Sequence, residues 1–451
     1  MQNLKIIVID DDPTGSQTVH SCQLLMRWDQ QTLLQAFADQ SPLFFVLSNT
    51  RAMSAAQAAD ITRDICRNIK QALATLQQQG IEQQILVVSR SDSTLRGHYP
   101  VETDVIAEEL GPFDAHFMVP AFFEGGRITL DSTHYLLVDG EKVPVDQTEF
   151  AKDSVFAFST AYLPDYVEEK TAGRIRADQV ERFLLQDIKA DLKARLSALS
   201  NNVCCVVDAD QQSTLDSFAA QLLDVAAEQG KRFFFRSAAS LLTSLANLPA
   251  QPVAADLMAQ YVRHHQPGII LAGSHVKKTT EQIAYLLEHA PVAQVLIDVE
   301  HFKAVGCGEK TQQLDDYRQA LVAEIHRMHQ QGQDILIYTS RAELQFDDQM
   351  QRLAFGQALS EFLMSLVAQL PETIGYLISK GGITSNDVLS DGLALHAARV
   401  VGQILPGCSV IRCPSDHARF ADLPVVIFPG NVGDQSAVYQ AFSILKKIAN
   451  H

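Results

Sequence analysis

Three consecutive aspartates, Asp10, Asp11 and Asp12, directly follow a short apolar run near the start of the chain. In open parallel sheets, ligands bind beyond the carboxyl ends of the strands, where these carboxylates are expected. Carboxylates this close repel one another unless a cation or a hydroxyl-bearing ligand lies among them. The pattern therefore predicts that at least one is functional; alternatively, one caps the following helix and another faces water.

A second polar segment, residues 90–98, follows the apolar run Ile85–Ser89. A guanidinium matches the two oxygens of a carboxylate, whereas aspartate and hydroxyl side chains suit sugar hydroxyls. An N-cap at Asp92 or Ser93, with the arginines in surface ion pairs, would account for only part of the pattern. The residues that we predict to bind a ligand here are Arg90, Ser91, Asp92, Ser93, Thr94 and Arg96.

Two further arginines follow predicted strands. Arg51 comes after the run Leu43–Leu47, and Arg127 comes after Phe117–Val119. If these arginines converge with those of the segment 90–98, the site binds an anion. The neighbouring aspartates and hydroxyls suit an anion that carries several hydroxyl groups, and a sugar acid has both features.

The second half of the chain has three glycine turns, each placed between an apolar run and a predicted helix. Such turns present unpaired N–H groups at a helix N-terminus, which favours phosphate binding. One turn alone is weak support, but three in one domain predict a nucleotide site. The predicted helices are Lys277–Glu288, Ser385–Gln403 and Gln435–Ile448. The residues that we assign to the turns are Gly273, Ser274, Lys380, Gly381, Gly382, Ile383, Thr384, Gly430, Asn431, Val432 and Gly433.

The strict nucleotide fingerprints are missing from the sequence. It has no GxxxxGK[ST] pattern, and Gly306-Cys307-Gly308 lacks both the third glycine and the preceding strand of a dinucleotide motif. Any ATP site here is therefore not of the P-loop type.

Short apolar runs alternate with longer helical patterns, which predicts an α/β fold. The runs are continuous rather than alternating, as expected for parallel strands covered on both faces. We expect two domains, 1–250 and 260–451, each a mostly parallel sheet flanked by helices, with the active site in the cleft between them. The predicted strands are Leu4–Ile9, Leu43–Leu47, Ile85–Ser89, Phe117–Val119, Val203–Val207, Ile269–Ala272, Val295–Asp298, Ile335–Tyr338, Tyr376–Ser379 and Val425–Phe428. Helical periodicity is clear in Ala55–Leu76, Ala177–Leu199, Leu314–Gln331 and Gln349–Leu370.

Composition excludes several classes of function. The 451 residues carry 36 Lys and Arg against 53 Asp and Glu, a formal charge of −17, which argues against nucleic acids and anionic membranes as partners. No apolar stretch reaches the ~20 residues of a membrane span. The apolar run near the N-terminus is too short for a signal peptide. Seven cysteines without a CxxC pattern favour a reduced, cytoplasmic environment.

The histidines do not form a recognisable metal motif. His264-His265 and the pair His326 and His329 have no Cys or carboxylate at ligand spacing, so we expect solvated surface residues and no metal-binding side chains.

The chain resembles the four-carbon acid sugar kinase family, formerly a family of unknown function, over nearly its whole length. Asp11-Asp12-Pro13-Thr14-Gly15 is similar to the family's DD-x-TG opening, and the segment 90–97 is similar to its DSTLRG element. Lys380-Gly-Gly-Ile-Thr384 is similar to its GG-x-T turn. The block from Ser379 to Asp434 resembles its nucleotide-binding domain.

The resemblance implies Mg²⁺-dependent phosphorylation by ATP of the terminal hydroxyl of threonate, erythronate or a 3-oxo-tetronate. It implies that Asp12, Arg51 and the segment 90–94 bind the acid, and that Ser274, the turn 381–384 and Gly430 bind ATP. Asp12 is the first choice for the residue that orients the hydroxyl or acts as base, and Asp92 is the second. A homodimer is a possible assembly.

Two other functions remain open at this point. A nicotinamide-dependent dehydrogenase acting on sugar acids would need a strand–GxGxxG–helix unit, which the sequence lacks. A sensor without catalytic activity would tolerate erosion of the glycine turns, yet all three are intact.

Overall fold

The ten predicted apolar runs all form strands with parallel partners in the computed structural model, which describes residues 4–273, 276–306, 311–340, 349–430 and 432–448. The observed ends differ from the predicted ones by at most two residues. The chain folds into two compact units, Met1–Gln251 and Pro252–His451. The predicted α/β class, with mostly parallel sheets flanked by helices, is confirmed.

The first unit contains a parallel sheet with the strand order β2-β3-β1-β4-β11-β5-β10-β9 and a small antiparallel sheet formed by β6, β7 and β8. Its strands are β1 Leu4–Asp10, β2 Cys22–Leu25, β3 Leu43–Leu47, β4 Gln84–Arg90, β5 Ala115–Val119, β6 Arg127–Leu130, β7 Thr133–Val138, β8 Glu141–Pro144, β9 Glu181–Phe183, β10 Val203–Val207 and β11 Phe233–Ser237. Its helices are α1 Gln30–Ala38, α2 Ala55–Gln78, α3 Val101–Leu110, α4 Leu163–Lys170, α5 Leu185–Ile188, α6 Lys193–Ala198, α7 Gln212–Gln229 and α8 Ser240–Ala246.

The second unit has the strand order β13-β14-β12-β15-β18-β17-β16, in which β17 runs antiparallel to both neighbours and the remaining pairs are parallel. Its strands are β12 Ile269–Ala272, β13 Ala293–Ile297, β14 Ile335–Thr339, β15 Leu377–Lys380, β16 Ala397–Leu405, β17 Cys408–Arg412 and β18 Pro424–Phe428. Its helices are α9 Lys277–His289, α10 Val299–Gly306, α11 Thr311–Gln330, α12 Gln349–Val367, α13 Gly382–Asp387 and α14 Ala437–Lys446.

Side-chain burial explains why the strand predictions were accurate. Every residue of the predicted strands β3 and β5 is buried, so both faces of these central strands are covered. A strand covered on both faces needs apolar side chains at successive positions, and its sequence therefore becomes a continuous apolar run.

The helix predicted over Ala177–Leu199 is wrong. The segment breaks into a 3₁₀ turn, the edge strand β9 and the short helices α5 and α6. β9 pairs with β10 through Cys205–Val207, and the Asp187 carboxylate accepts a hydrogen bond from Leu184 N at 3.0 Å, which starts a new helix. Pairing at the sheet edge outweighs the local helical periodicity.

The helix predicted over Ser385–Gln403 is also wrong beyond its first turns. α13 passes into a π-helical turn, Val388–Gly392, and the chain then forms β16. β16 and β17 form a hairpin whose turn contains Gly407 at φ +77°. The preceding Pro406 and this glycine were a turn signal that the helical pattern obscured.

Two further observations concern the cysteines and histidines. The six described cysteines are all buried, and none of them forms a disulfide. The expectation of solvated histidines is wrong for His329, which is buried and hydrogen-bonded to Thr373 Oγ1 at 2.8 Å.

Over the described ranges, no helix combines the length and apolar character that crossing a bilayer would require.

Candidate functional site

The predicted polar segments of the first unit meet at the carboxyl ends of three adjacent strands. In the sheet register, Asp10 of β1 lies between Leu47 of β3 and Arg90 of β4. Main-chain hydrogen bonds continue past the strands, from Ser48 N to Asp10 O at 2.9 Å and from Asp11 N to Arg90 O at 3.2 Å. The parallel pairing therefore brings together residues separated by up to 80 positions in the chain.

The three aspartates have different environments. The Asp10 side chain is fully buried and lies 3.3 Å from Arg90 Nη1, and its Oδ2 atom has no hydrogen-bond partner in the described part of the chain. Burial raises the pKa of Asp10 to about 8, although Arg90 acts in the opposite direction. Asp10 is therefore largely protonated at neutral pH.

Arg51 joins the other two aspartates. Its Nη2 and Nε atoms lie 2.5 and 3.1 Å from the two oxygens of Asp11, which is a bidentate pair. Its Nη1 atom lies 3.4 Å from Asp12 Oδ2 and 3.8 Å from Asp92 Oδ1. One guanidinium thus holds three predicted site residues, so these side chains have a fixed geometry before any ligand binds.

Asp12 is the aspartate that faces solvent. Its side chain is 19% exposed, compared with 1% for Asp11. Oδ1 accepts hydrogen bonds from the backbone and side chain of Thr14, and Arg51 faces Oδ2. Burial acts to raise the pKa of Asp12, but Arg51, Arg90 and Thr14 outweigh it and lower this pKa, so the carboxylate stays ionised.

Packing requires a glycine in the turn that follows Asp12. A Cβ atom on Gly15 would lie 1.9 Å from Asp10 Oδ2, far inside van der Waals contact. Gly15 belongs to the 3₁₀ turn Pro13–Ser16, whose N-cap is Asp12. The capping role that was the alternative for one aspartate is thus also filled by Asp12.

The segment after β4 is held by its own aspartate. Asp92 Oδ2 accepts hydrogen bonds from Thr94 N at 3.1 Å, from the Thr94 hydroxyl and from Arg96 Nε at 2.9 Å. Burial opposes ionisation of Asp92, but Arg51, Arg96 and Thr94 lower its pKa strongly. Asp92 therefore orders the loop, and its oxygens are largely engaged within the protein.

The remaining predicted residues of this loop lie in the same network. Ser91 Oγ lies 3.1 Å from Asp11 Oδ2, and Arg90 and Arg96 are each paired with an aspartate. Ser93 contributes its carbonyl, which lies 2.8 Å from His134 Nε2. The arginines do converge, but three of them already lie within 4 Å of aspartates of the site, and Arg90 lies beside the protonated Asp10 and 3.7 Å from Asp11.

Two buried residues of this network were not predicted. Glu102 of α3 accepts a hydrogen bond from the Thr50 hydroxyl at 2.5 Å, and burial next to Asp11 raises its pKa to about 7. Arg236 of β11 donates to Ser91 Oγ at 3.3 Å and to Arg96 O at 3.1 Å. An arginine inside the apolar run of β11 was a usable sequence signal, whereas Glu102 gave none.

The three glycine turns of the second unit also lie side by side. They follow β12, β15 and β18, which are consecutive parallel neighbours in the sheet. A Cβ atom on Gly273 would lie 2.7 Å from Thr384 Oγ1, so the first two turns are in contact. Gln282 Nε2 of α9 donates to Val432 O at 3.0 Å and Asp434 O at 2.7 Å, which holds the third turn.

The middle turn has the backbone of a glycine-dependent turn. Gly381 has φ +122° and ψ +139°, a conformation that essentially only glycine adopts, and it precedes Gly382, the first residue of α13. The Ile383 side chain is 65% exposed, which leaves an apolar surface beside the turn. Ser274 and Asn431 lie outside the described residues.

Lys380 has a different environment from the one expected of a phosphate ligand. It is fully buried, and its Nζ atom donates to Pro429 O at 2.5 Å and Gly430 O at 3.2 Å. Burial lowers the pKa of Lys380 to about 7. In this arrangement the ammonium links the second and third turns, and contact with a nucleotide stays a prediction.

Among the described residues, no group of three or more His, Cys, Asp or Glu side chains is arranged to hold a metal ion. The aspartates after β1 and β4 are directed at arginines and hydroxyls instead. The contacts of these carboxylates are therefore ion pairs and hydrogen bonds within the protein.

Comparison with known proteins identifies the two units. Residues 6–245 match the model of a sugar-binding N-terminal domain, and residues 269–438 match that of a nucleotide-binding C-terminal domain. The fold and the site thus define a two-domain protein with one domain of each kind. The chain belongs to the four-carbon acid sugar kinase family.

One curated relative and two solved structures illustrate the similarity. Over 153 residues the chain is 31% identical to the D-erythronate kinase of Heliobacterium modesticaldum, a match that spans 33% of this chain and 32% of that one. A putative tRNA synthase from Salmonella typhimurium LT2 shares the fold with a TM-score of 0.68 and 19% identity, over 97% of this chain and 98% of that chain. A Haemophilus influenzae protein has a TM-score of 0.61 and 16% identity, over 97% and 100% of the two chains.

Proposed function

We propose that the protein is a cytoplasmic kinase that transfers the γ-phosphate of ATP to the terminal hydroxyl of a four-carbon sugar acid such as erythronate, threonate or a 3-oxo-tetronate. The observation that carries this proposal is the environment of Asp12. It is a partly exposed, ionised carboxylate within a rigid network of arginines and hydroxyls at the end of β1. Family membership and the partial match to an erythronate kinase support the substrate class.

Asp12 would accept the hydrogen bond of the reacting hydroxyl. Its low pKa makes it a weak base, but phosphoryl transfer depends mainly on positioning and electrostatic stabilisation. Asp92 is less suited to this role because its side chain is less exposed, 12% compared with 19% for Asp12, and three donors from Thr94 and Arg96 converge on its Oδ2 atom. The remaining polar groups of the segment 90–96 would bind the other hydroxyls of the acid.

The glycine turns of the second unit would hold the nucleotide. The N–H groups of residues 381–384 start a helix and favour a phosphate by hydrogen bonding and by the helix dipole. Mg²⁺ would neutralise charge on the phosphates. In proteins, Mg²⁺ is often held by one or two carboxylates together with phosphate oxygens and waters. Such an ion does not need a group of three or more protein ligands, and the described residues form no such group.

The test is ATP consumption by the purified protein with D- and L-threonate, D- and L-erythronate and their 3-oxo forms, each with Mg²⁺. We expect turnover with at least one of these acids and a phosphorylated product in the mass spectrum. Thermal-shift measurements with ATP·Mg²⁺ and NAD⁺ complete the test. Stabilisation by NAD⁺ without stabilisation by ATP would contradict the kinase and favour a dehydrogenase.

A further inference from the structure

The four arginines that the sequence predicts to converge differ in whether an aspartate already lies beside them. Arg51, Arg90 and Arg96 lie 2.5, 3.3 and 2.9 Å from aspartate oxygens. Arg127 has no Asp or Glu oxygen within 4.0 Å in the described ranges of the chain. We propose that the Arg127 guanidinium binds the carboxylate of the substrate acid, an assignment that rests on the function proposed above.

Strand β6 places this side chain towards the loop of residues 90–96. Arg127 and Thr129 are two residues apart in β6, so their side chains share one face of the strand. Thr129 Oγ1 lies 2.9 Å from His134 Nδ1, and His134 Nε2 lies 2.8 Å from the carbonyl of Ser93. The face of β6 that carries Arg127 is therefore the one connected to the loop of residues 90–96.

The main chain fixes the position of Arg127. Its N–H donates to Phe122 O at 2.8 Å, and its carbonyl accepts from Phe122 N at 3.0 Å. Its Nη1 atom donates to Gly125 O. A Cβ atom on Gly125 would lie 2.1 Å from Nη1, so the guanidinium occupies space that only a glycine at this position leaves open.

The hydrogen-bonding capacity of Arg127 is not used up. Its Nε atom is buried and has no hydrogen-bond partner within the part of the chain that the structure describes. Burial lowers the pKa of Arg127 most, Asp92 and Glu149 act to raise it, and Arg96 acts to lower it, so the charges that Arg127 senses come from the loop of residues 90–96 and from Glu149. A half-buried cation with an unused donor is stabilised by an anionic ligand, and a carboxylate matches the geometry of the guanidinium.

The experiment measures binding of the acid to the full-length protein by titration calorimetry, for the wild type, Arg127→Met and Arg127→Lys. Arg127→Met should weaken binding of the best C4 acid by about 10- to 100-fold, the range expected for losing a hydrogen-bonded charge pair. The affinity of Arg127→Lys for the acid should lie between those of the wild type and Arg127→Met, because lysine keeps the positive charge but lacks the planar pair of N–H donors. The corresponding C4 acid amide, which lacks the negative charge, should bind all three proteins with similar, low affinity.

Controls separate a binding effect from a folding effect. Arg176→Met removes an exposed arginine whose charged neighbours are Asp178 and Glu168, and it should leave affinity for the acid unchanged. ATP·Mg²⁺ affinity and the melting temperature of each variant report on folding. If the affinity of Arg127→Met for the acid is within threefold of the wild-type affinity, the assignment of Arg127 is overturned while the proposed function stands. A wild type that binds none of the acids would overturn the proposed substrate class together with it.

Discussion

At the scale of single residues, the site separates roles among chemically identical side chains. Asp10 is buried with a raised pKa, Asp11 forms a bidentate pair with Arg51, and Asp12 is ionised and partly exposed. Burial and the nearest cation decide the state of each carboxylate. Three adjacent aspartates thus supply one protonated packing group, one anchor and one accessible carboxylate.

Asp12→Asn should lower kcat by at least about tenfold, or about 1.4 kcal/mol, because the amide lacks the charge that orients the hydroxyl. Steady-state kinetics with the best C4 acid check this. Asp60→Asn is the matched control, since the Asp60 side chain is 81% exposed. A loss below tenfold, with unchanged melting temperature, would remove Asp12 from the catalytic role.

Glu102 gives a pH dependence whose sign is opposite to that of an ordinary ion-paired carboxylate. Its pKa is raised to about 7, so between about pH 4.3, the unfolded value, and pH 7 the folded state binds the extra proton. The free energy of unfolding that Glu102 contributes is therefore largest at low pH and falls as pH rises through this window.

Glu102→Gln removes this dependence because the amide cannot ionise. We expect the melting temperature of the wild type, relative to Glu102→Gln, to decrease from pH 5 to pH 8. Glu109→Gln on the same helix is the control. Lysine and arginine neighbours lower the pKa of Glu109, so its contribution to the pH dependence of stability falls below pH 5. A wild type that gains stability over Glu102→Gln across this range would contradict the assignment.

At the scale of elements, tight turns at strand ends position the chemistry. The turn Pro13–Ser16 places Asp12 only because Gly15 leaves room for the Asp10 carboxyl. In the second unit, Lys380 links the ends of β15 and β18 through two carbonyls. The first arrangement is local in the sequence, whereas the second joins residues 49 and 50 positions apart.

Gly15→Ala should destabilise the protein and reduce activity, because the new Cβ would lie 1.9 Å from Asp10 Oδ2 and the turn carrying Asp12 must shift. Melting temperature and kcat are the measurements. Gly356→Ala is the matched control: this glycine lies in α12 with nothing within 4 Å of the added Cβ, so we expect stabilisation of about 0.5–1 kcal/mol. Equal effects of the two substitutions would contradict the packing argument.

The accuracy of the element predictions followed burial. Doubly covered strands such as β3 were predicted with the correct bounds, because continuous apolar character is a local property of the sequence. The buried strand β11, whose sequence begins with three phenylalanines, was also missed. The edge strand β9 and the hairpin strand β16 were missed because their conformation depends on pairing partners. Local periodicity does not contain that information.

At the scale of the whole molecule, the two units divide the proposed substrates. The aspartate–arginine network lies in Met1–Gln251, and the three glycine turns lie in Pro252–His451. Within each unit, polar or glycine-rich loops follow the carboxyl ends of neighbouring parallel strands. Binding of each substrate should therefore be detectable separately in the full-length protein.

Hydrogen exchange followed by mass spectrometry tests this division. The C4 acid alone should slow exchange in peptides containing residues 90–98, and ATP·Mg²⁺ alone should slow exchange in peptides containing residues 381–384, because bound ligands restrict local opening. An unrelated acid, such as benzoate, is the control for the first ligand. Protection of the residues 381–384 by the C4 acid alone would contradict the division.

The sequence by itself determined the α/β class, ten of the strands and the segments that carry polar and glycine-rich loops, because continuous apolar runs and turn chemistry leave local patterns. It also selected Asp12, Arg51 and the segment 90–96 as neighbours, since parallel strands end at one edge of a sheet. Their assigned roles in binding and catalysis remain predictions.

Only the tertiary structure decided which charges are already paired. It buried Asp10 and Lys380, directed Arg51 onto three aspartates, added Glu102 and Arg236 to the network and left Arg127 without a carboxylate partner among the described residues. The physical reason is that pairing and desolvation depend on distances between residues far apart in the chain, and these distances exist only in the folded protein.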